Sequence, residues 1–279
     1  MPALRALHGN LPETEHRKER ITMTQDERRI YLIKALLSEE AQYKDMEIPA
    51  DLQLQKRLLR TLFNVRMPGT VNKEFLEIQD AYLQEENRQK GITDLSDLTP
   101  LQKGIYLWQG DITTLRCGAI VNAANSQMLG CFCPNHGCID NAIHTYAGIQ
   151  LRAACAELMS KQGHEEETGR AKITPAFNLP CDYVLHTVGP IIRSWLTRKD
   201  KELLASCYRS CLELADQSNI KSVAFCCIST GEFHFPNDKA AQVAVSTVKQ
   251  YKEQTNSEIE VIFNVFKDID LQIYQNLLR

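Results

Sequence analysis

The sequence feature that most constrains the fold is an alternation of short apolar segments with longer helical ones, which begins at Ile105. The segment Ser222–Ile228 is apolar almost throughout, which is typical of a strand buried on both faces of a parallel sheet. Other strands are predicted at 105–109, 119–121, 181–188 and 258–266, and helices at 138–146, 149–159, 199–217 and 238–251. Strands that alternate with helices predict an α/β domain with a mostly parallel sheet.

The chain before about residue 90 has a different pattern, because after a loose tail of some twenty residues its apolar residues recur at helical spacing. Thr24, followed three residues later by Glu27, forms a capping box that predicts the start of a helix. Gly91 suits the end of the third such helix. The predicted parts of the chain are a flexible tail at 1–20, a helical N-terminal extension at 21–99 and the α/β domain at 100–279.

The composition argues against several classes of protein. The 32 Lys and Arg residues are balanced by 35 Asp and Glu residues, and a net charge of -3 does not suit a nucleic-acid binder. No apolar run approaches the ~20 residues that cross a bilayer, and the polar start of the chain does not resemble a signal peptide. We therefore expect a cytoplasmic protein whose ten cysteines are mostly reduced.

Three polar segments follow predicted strands: Gly110–Thr113, Asn122–Ser126 and Ser229–Pro236. Ligands of open α/β sheets bind at the carboxyl ends of the strands, so these segments are expected to converge on one crevice. Asp111 can accept a hydrogen bond from an exocyclic amine or a hydroxyl group, and the backbone amides around Gly231 can surround an anion. Taken alone, the first and the last of these segments are equally consistent with an ordinary turn.

A cluster of thiols and an imidazole lies between two of these segments. Cys131, His136 and Cys138 follow a C-x4-H-x-C spacing, and three ligands in one loop leave a coordination position open, as in catalytic zinc sites. Cys133 could be a fourth ligand that closes the site, and a cysteine-rich loop without metal is an equal alternative on spacing alone. Asp140 follows the cluster at the start of a predicted helix, where it could act as a general base.

Together, these segments resemble the macrodomain family, which binds ADP-ribose, from about Leu101 to the C-terminus. The matching segments are Gly110–Ile112, Asn122–Asn125, Ile139–His144, His186–Pro190 and Ile228–Pro236. The resemblance implies a three-layer α/β/α fold with a mixed, mostly parallel sheet. It also implies an ADP-ribose site formed by Asp111, Ile112, Asn122, Asn125, Ser229, Thr230, Gly231, Glu232, Phe233 and Phe235.

The same resemblance implies a role for most of these residues. Asp111 would bind the adenine amino group, with the backbone of Ile112 beside it, and Asn125 would hold the distal ribose. Ser229–Phe233 would surround the diphosphate, and Phe235 would present its ring near the distal ribose and the diphosphate.

The insert from Gly130 to Cys138 resembles the zinc-containing branch of the macrodomain hydrolases, whose members also carry a helical N-terminal extension. That branch implies one zinc ion held by Cys131, His136 and Cys138, and catalytic roles for Asn125, Asp140 and His144. His144 lies on the same helical face as Asp140, where it would orient the carboxylate or the substrate or serve as a core histidine. His186 is expected to be structural and His234 to face solvent.

The resemblance implies a zinc-dependent hydrolase that removes mono-ADP-ribose from esters on Asp or Glu side chains of modified proteins. Bacterial members of the branch are associated with a sirtuin-type ADP-ribosyltransferase and a lipoyl-carrier protein, which makes such a carrier a candidate substrate. The alternatives are an ADP-ribose reader without catalysis, an O-acetyl-ADP-ribose deacetylase and an interaction protein with a structural zinc.

Overall fold

The computed structural model describes residues 23–279. The predicted tail over residues 1–20 lies outside the described residues.

Three helices precede the sheet: α1 (Gln25–Glu39), α2 (Leu52–Val65) and α3 (Lys73–Lys90). The capping box predicted for α1 is confirmed, since the Thr24 N–H donates to Glu27 Oε2 at 2.7 Å and the Glu27 N–H donates to Thr24 Oγ1 at 3.2 Å. The apolar faces of the three helices form a core of their own, whose largest members include Leu32, Ile33, Leu59, Phe63, Phe75 and Tyr82. The helical reading of this region from periodicity is therefore confirmed, while the boundary at residues 99 and 100 stays a prediction.

A six-stranded sheet follows the three helices. Its strands are β2 (Ile105–Gln109), β4 (Ala119–Ala124), β5 (Ala171–Pro175), β6 (Tyr183–Val188), β7 (Ser222–Phe225) and β8 (Glu260–Val265). Their order in the sheet is β2-β8-β7-β4-β6-β5. Every pairing is parallel except that of β5 with β6, so the mixed, mostly parallel sheet is confirmed. A separate parallel pair joins β1 (Thr93–Asp94) to β3 (Leu115–Arg116).

Helices cover the sheet to complete the three-layer arrangement. They are α4 (Ile139–Ala147), α5 (Ile149–Gln162), α6 (Arg198–Gln217), α7 (Asn237–Thr255) and α8 (Asp268–Leu278). The second hydrophobic core lies between these layers, with Tyr208, Phe225 and Phe263 among its largest fully buried side chains. Among residues 23–279, no helix combines the length and the hydropathy that crossing a membrane requires.

Two strands end three residues away from their predicted ends, and one of these differences changes the site. β4 continues to Ala124, because Asn122, Ala123 and Ala124 pair with β6 residues up to Val188. β7 ends at Phe225, since its last pair with β8 is there, and the apolar residues after it leave the sheet as a buried turn. Asn122 is consequently a strand residue and does not belong to the loop that follows.

Candidate active site

Asp111 lies in the turn after β2 and caps a short 3-10 helix over Ile112–Thr114. Its Oδ1 accepts hydrogen bonds from the N–H of Thr113 at 3.0 Å and from the Thr113 hydroxyl at 2.6 Å. Its Oδ2 lies 3.2 Å from Nζ of Lys90, the last residue of α3. Burial acts to raise the pKa of Asp111, but the Lys90 ammonium and the Thr113 hydrogen bonds outweigh it and lower that pKa. Asp111 is therefore held as a carboxylate, with Oδ1 bonded to Thr113 and Oδ2 paired with Lys90.

The N-terminal helices thus reach the turn that was predicted to bind adenine. Lys90 Nζ also lies 2.9 Å from the centroid of the Tyr146 ring, in α4, which fixes the ammonium between an aromatic face and a carboxylate. The turn also contacts the end of β8, since the N–H of Gly110 donates to Val265 O at 3.1 Å. The next residue of the chain, Phe266, is 76% exposed. Lys90 and Phe266 are candidate site residues that the sequence analysis missed.

The segment Ser229–Phe235 folds back on itself after β7. The N–H of Phe235 donates to Ser229 O at 2.9 Å, and the Thr230 hydroxyl donates to Cys227 O at 2.9 Å. Ser229 has a left-handed backbone, with φ of 66°, and its buried hydroxyl has no hydrogen-bond partner in the described part of the chain. Gly231 is exposed, with open space where a Cβ would be, so its backbone can be approached closely.

The two phenylalanines of this segment differ in accessibility. Phe233 is half-buried, and its carbonyl accepts a hydrogen bond from the Ile192 N–H at 2.8 Å. Phe235 is only 1% exposed because its ring belongs to the core between sheet and helices. The expectation that Phe235 presents a ring face to a ligand is therefore wrong for this structure. His234 is exposed, as expected.

Cys131, His136 and Cys138 come together as predicted, in the loop before α4. Their donor atoms all lie within 4.8 Å of one another, and Cys131 Sγ is 3.6 Å from His136 Nδ1. Cys133 is exposed and does not belong to this group. Burial raises the pKa of the Cys138 thiol to about 12, and the nearby Cys131 adds to the rise. Two sulfurs and one imidazole nitrogen at this spacing suit zinc, which also favours the thiolate forms.

The imidazole of His136 connects this loop to the segment after β7. Its Nε2 lies 3.5 Å from Oε1 of Glu232, whose side chain is 68% exposed. The ring therefore touches the Glu232 side chain with Nε2, while its Nδ1 lies toward the Cys131 sulfur. This proximity could not be inferred from residues so far apart in the sequence.

Asp140 is buried in the first turn of α4, at 5% exposure. Its Oδ1 accepts a hydrogen bond from Nδ2 of Asn122 at 2.8 Å. Burial raises the pKa of Asp140 to about 6, although the Asn122 hydrogen bond and the Arg152 guanidinium act in the opposite direction. A carboxylate with this pKa can accept a proton near neutral pH.

Asn122 is fully buried, with 0% exposure, because it points inward from the middle of β4. Besides Asp140, its Nδ2 lies 3.2 Å from Nδ1 of His186, whose Nε2 lies 2.9 Å from the Thr174 hydroxyl. The expectation that Asn122 touches the ligand is wrong for this structure, since no part of it is accessible. Asn122 instead orients Asp140, and His186 is structural, as expected.

His144 lies one helical turn after Asp140, with Nε2 3.6 Å from Asp140 Oδ1. Burial, followed by the nearby His186 and Arg152, lowers the pKa of His144 well below its ordinary value. The imidazole is therefore neutral and the contact is not an ion pair. A Cβ at Gly130 would lie 2.7 Å from the His144 ring, so the backbone at Gly130 covers the ring. His144 can thus support Asp140 but does not face solvent.

Asn125 directly follows β4 and is partly exposed. Its Nδ2 donates to Gly130 O at 3.1 Å, and its Oδ1 accepts from the Gln127 N–H at 3.1 Å. The side chain consequently shapes the start of the loop that carries the three metal-binding candidates. Its predicted contact with a ribose stays a prediction.

Comparison with known proteins gives consistent similarities. The sequence profile of the family described as "Macro domain" matches residues 121–244. A Treponema medium protein named "Protein-ADP-ribose hydrolase" is 58% identical over 260 residues, covering 92% of this chain and 100% of that protein. A protein of the same name from Staphylococcus aureus (strain MSSA476) is 51% identical over 247 residues, covering 88% of this chain and 92% of that one. Among solved structures, a Trypanosoma brucei macrodomain in complex with ADP-ribose superposes with a TM-score of 0.62 at 28% identity, covering 79% of this chain and 95% of that chain.

Proposed function

Because this chain belongs to the macrodomain family, we propose that it is a zinc-dependent hydrolase that removes mono-ADP-ribose from ester-linked Asp and Glu side chains of modified proteins. The relatives named protein-ADP-ribose hydrolase support the reaction class, and their similarity extends over the N-terminal helices as well. In this proposal the described chain divides into a helical extension up to residue 99 and a macrodomain from residue 100.

The observation that carries the proposal is the convergence of three chemical groups at one end of the sheet. The donor atoms of Cys131, His136 and Cys138 lie within 4.8 Å of one another. The buried carboxylate of Asp140 follows two residues later, and Glu232 connects the loop to the backbone amides after β7 through its 3.5 Å contact with His136. A site for one metal ion, a candidate base and an anion-binding segment are the parts that this hydrolysis requires.

The nucleotide would be bound in an orientation that these groups define. Asp111 would accept a hydrogen bond from the adenine amino group, beside the backbone of Ile112. The amides of Ser229–Phe233 would bind the diphosphate, since backbone N–H groups at such a turn attract anions. Asn125 would contact the distal ribose, next to the three metal ligands.

Cys131, His136 and Cys138 would hold one zinc ion, which supplies a Lewis acid beside the distal ribose. Asp140 would act as the general base, taking a proton from the attacking water on its carboxylate. Asn122 holds that carboxylate through a 2.8 Å hydrogen bond. His144 would serve as a positioning residue behind Asp140. Water adds across the ester, which releases ADP-ribose and a free carboxylic acid on the protein.

The modified protein is the other partner in this proposal. A lipoyl-carrier protein is a candidate, on the resemblance to the bacterial branch described above. We also propose that the enzyme works in the cytoplasm, because all ten cysteines are free thiols and a reducing compartment keeps them so.

The test is to incubate the purified zinc-loaded chain with a protein mono-ADP-ribosylated on glutamate and to follow ADP-ribose release by mass spectrometry. The same protein modified on arginine is the matched control. Release from glutamate but not arginine is expected. Binding of ADP-ribose without release would reject the hydrolase in favour of a reader module. Turnover of O-acetyl-ADP-ribose alone would instead identify a small-molecule deacetylase.

A further inference from the structure

The loop that carries Cys131, His136 and Cys138 is held by an arginine from the N-terminal helices. Arg60, in α2, donates from Nη2 to the His136 carbonyl at 2.9 Å. The same guanidinium donates from Nη2 and Nε to Oδ1 of Asn141, at 2.7 and 3.1 Å. A forked donor of this kind fixes both distance and angle, which a single ammonium cannot do.

Asn141 continues these contacts to the other two ligand residues. Its side chain is fully buried, and its Nδ2 donates to Cys133 O at 3.0 Å and to Cys131 O at 3.4 Å. Its backbone N–H donates to Cys138 Sγ at 3.4 Å. Each metal-binding candidate therefore accepts a hydrogen bond from Arg60 or Asn141. Cys131 and His136 accept through their backbone carbonyls, and Cys138 accepts through its sulfur.

A second set of contacts connects the same helix to the same loop. Asn64 Oδ1 accepts from the Asn135 N–H at 2.9 Å, and Asn135 Nδ2 donates to the Thr61 hydroxyl at 2.6 Å. Asn135 has a left-handed backbone, with φ of 54°, in the loop just before His136. Arg60, Thr61 and Asn64 of α2 therefore all form hydrogen bonds with this loop, over about one turn of the helix.

We propose that Arg60 and Asn141 are positioning residues that preset the three ligand side chains, so that metal binding depends on the N-terminal helices. The proposal rests on the zinc site of the proposed function. Partners of this kind orient ligands before the metal arrives, and their loss typically weakens metal affinity about 10–100-fold. Because α2 precedes the segment that matches the family profile, residues 121–244, this dependence is a feature added to the family's core.

The test compares zinc and cobalt(II) binding by the full chain carrying Arg60→Met with binding by the wild type. Methionine keeps most of the apolar stem but removes the donors. Arg57→Met is the matched control, since Arg57 lies exposed in the same helix and, within residues 23–279, makes no hydrogen bond to the loop. Zinc affinity is measured by competition with a chromophoric chelator, and ligand geometry by the visible spectrum of the cobalt(II) form.

We expect Arg60→Met to weaken zinc binding at least about tenfold and to alter the cobalt(II) spectrum. ADP-ribose affinity of the metal-free chain should stay within about twofold for both variants, because neither residue lies in the nucleotide crevice. Arg60→Lys should not restore zinc affinity, since lysine keeps the charge without the fork. Arg60→Lys is also the test variant if Arg60→Met does not fold.

Zinc affinity within about twofold of wild type and an unchanged cobalt(II) spectrum in both Arg60 variants would overturn the positioning role of Arg60 while leaving the metal site intact. A wild-type chain that binds no stoichiometric zinc would overturn both the positioning role and the zinc site. If zinc binds and its affinity depends on Arg60, but no ADP-ribose is released, only the hydrolase is rejected.

Discussion

At the scale of single residues, the candidate site contains two carboxyl groups whose surroundings shift the pKa in opposite directions. Asp111 is held ionised by Lys90 and Thr113, whereas burial raises the pKa of Asp140 to about 6. A permanent acceptor suits recognition of an amino group, and a proton acceptor poised near neutral pH suits catalysis. The two residues therefore predict separable effects on binding and on turnover.

Asp140→Asn should lower turnover by about 10²- to 10⁴-fold, because an amide cannot accept the proton from water. Its amide oxygen can still accept the Asn122 hydrogen bond, so folding should be retained. The measurement pairs the rate of ADP-ribose release with ADP-ribose affinity and zinc content, both of which should be nearly unchanged. Turnover close to that of the wild type would exclude Asp140 as the base.

Lys90→Met should make ADP-ribose binding more sensitive to acid. Without the ammonium at 3.2 Å, the first of the influences that lower the pKa of Asp111 is lost and that pKa rises, so the carboxylate protonates at a higher pH. Calorimetric titrations with ADP-ribose at decreasing pH should show affinity being lost earlier than in the wild type. Lys73→Met, at the exposed start of the same helix, is the control. Superimposable pH profiles would contradict a role for Lys90.

At the scale of elements, the helical region and the α/β domain meet through polar side chains. Arg152, in α5, is buried and donates to the carbonyls of Phe63 and Asn64 at 3.0 and 2.9 Å, and to Leu129 O at 2.7 Å. One guanidinium thus joins the end of α2 to the start of the loop that carries Cys131, His136 and Cys138.

Arg152→Met should reduce the free energy of unfolding by about 2–4 kcal/mol, because several buried carbonyls lose their donor. Urea unfolding measures the change. Arg209→Met, on the exposed face of α6, should change it by less than about 0.5 kcal/mol. A loss no larger than that of this control would mean that the carbonyls find other partners.

Several elements and contacts were outside the reach of sequence reasoning for physical reasons. β5 was missed because it is a half-exposed antiparallel edge strand that ends in Pro175, without a clear alternation. Asn122 was assigned to a loop because β4 gains its last three residues from pairing with β6. Arg60 and Asn141 are 81 positions apart, and no local pattern reports such a contact.

At the scale of the whole molecule, the α/β class, the three N-terminal helices and the grouping of Cys131, His136 and Cys138 could all be predicted from the sequence. The class and the helices depend on short-range information, namely periodicity and caps, whereas the choice of Cys131, His136 and Cys138 over Cys133 depends on the resemblance to the zinc-containing branch. The details of the crevice could not be predicted, because the contacts of His136 with Glu232 and of Lys90 with Asp111 join residues that are distant in the sequence.

Removal of zinc should abolish ADP-ribose release while leaving the sheet folded. The main core between the layers does not include the metal-binding loop, so it should survive chelation. Circular dichroism and thermal melting, read beside the release assay after treatment with a chelator, provide the comparison. Global unfolding on chelation would assign the metal a structural role instead.

The chain carries two tryptophans, Trp108 and Trp195. The Trp108 ring lies against Gly110, where an added Cβ would be 2.4 Å away, just before Asp111. Trp195 is 86% exposed, three residues after Ile192, which is bonded to Phe233. The first indole therefore lies beside the turn that is proposed to bind adenine, and the second lies three residues from a contact with the segment that is proposed to bind the diphosphate. Intrinsic fluorescence offers an unlabelled optical readout of occupancy, and Trp→Phe replacements can assign the signal to either end.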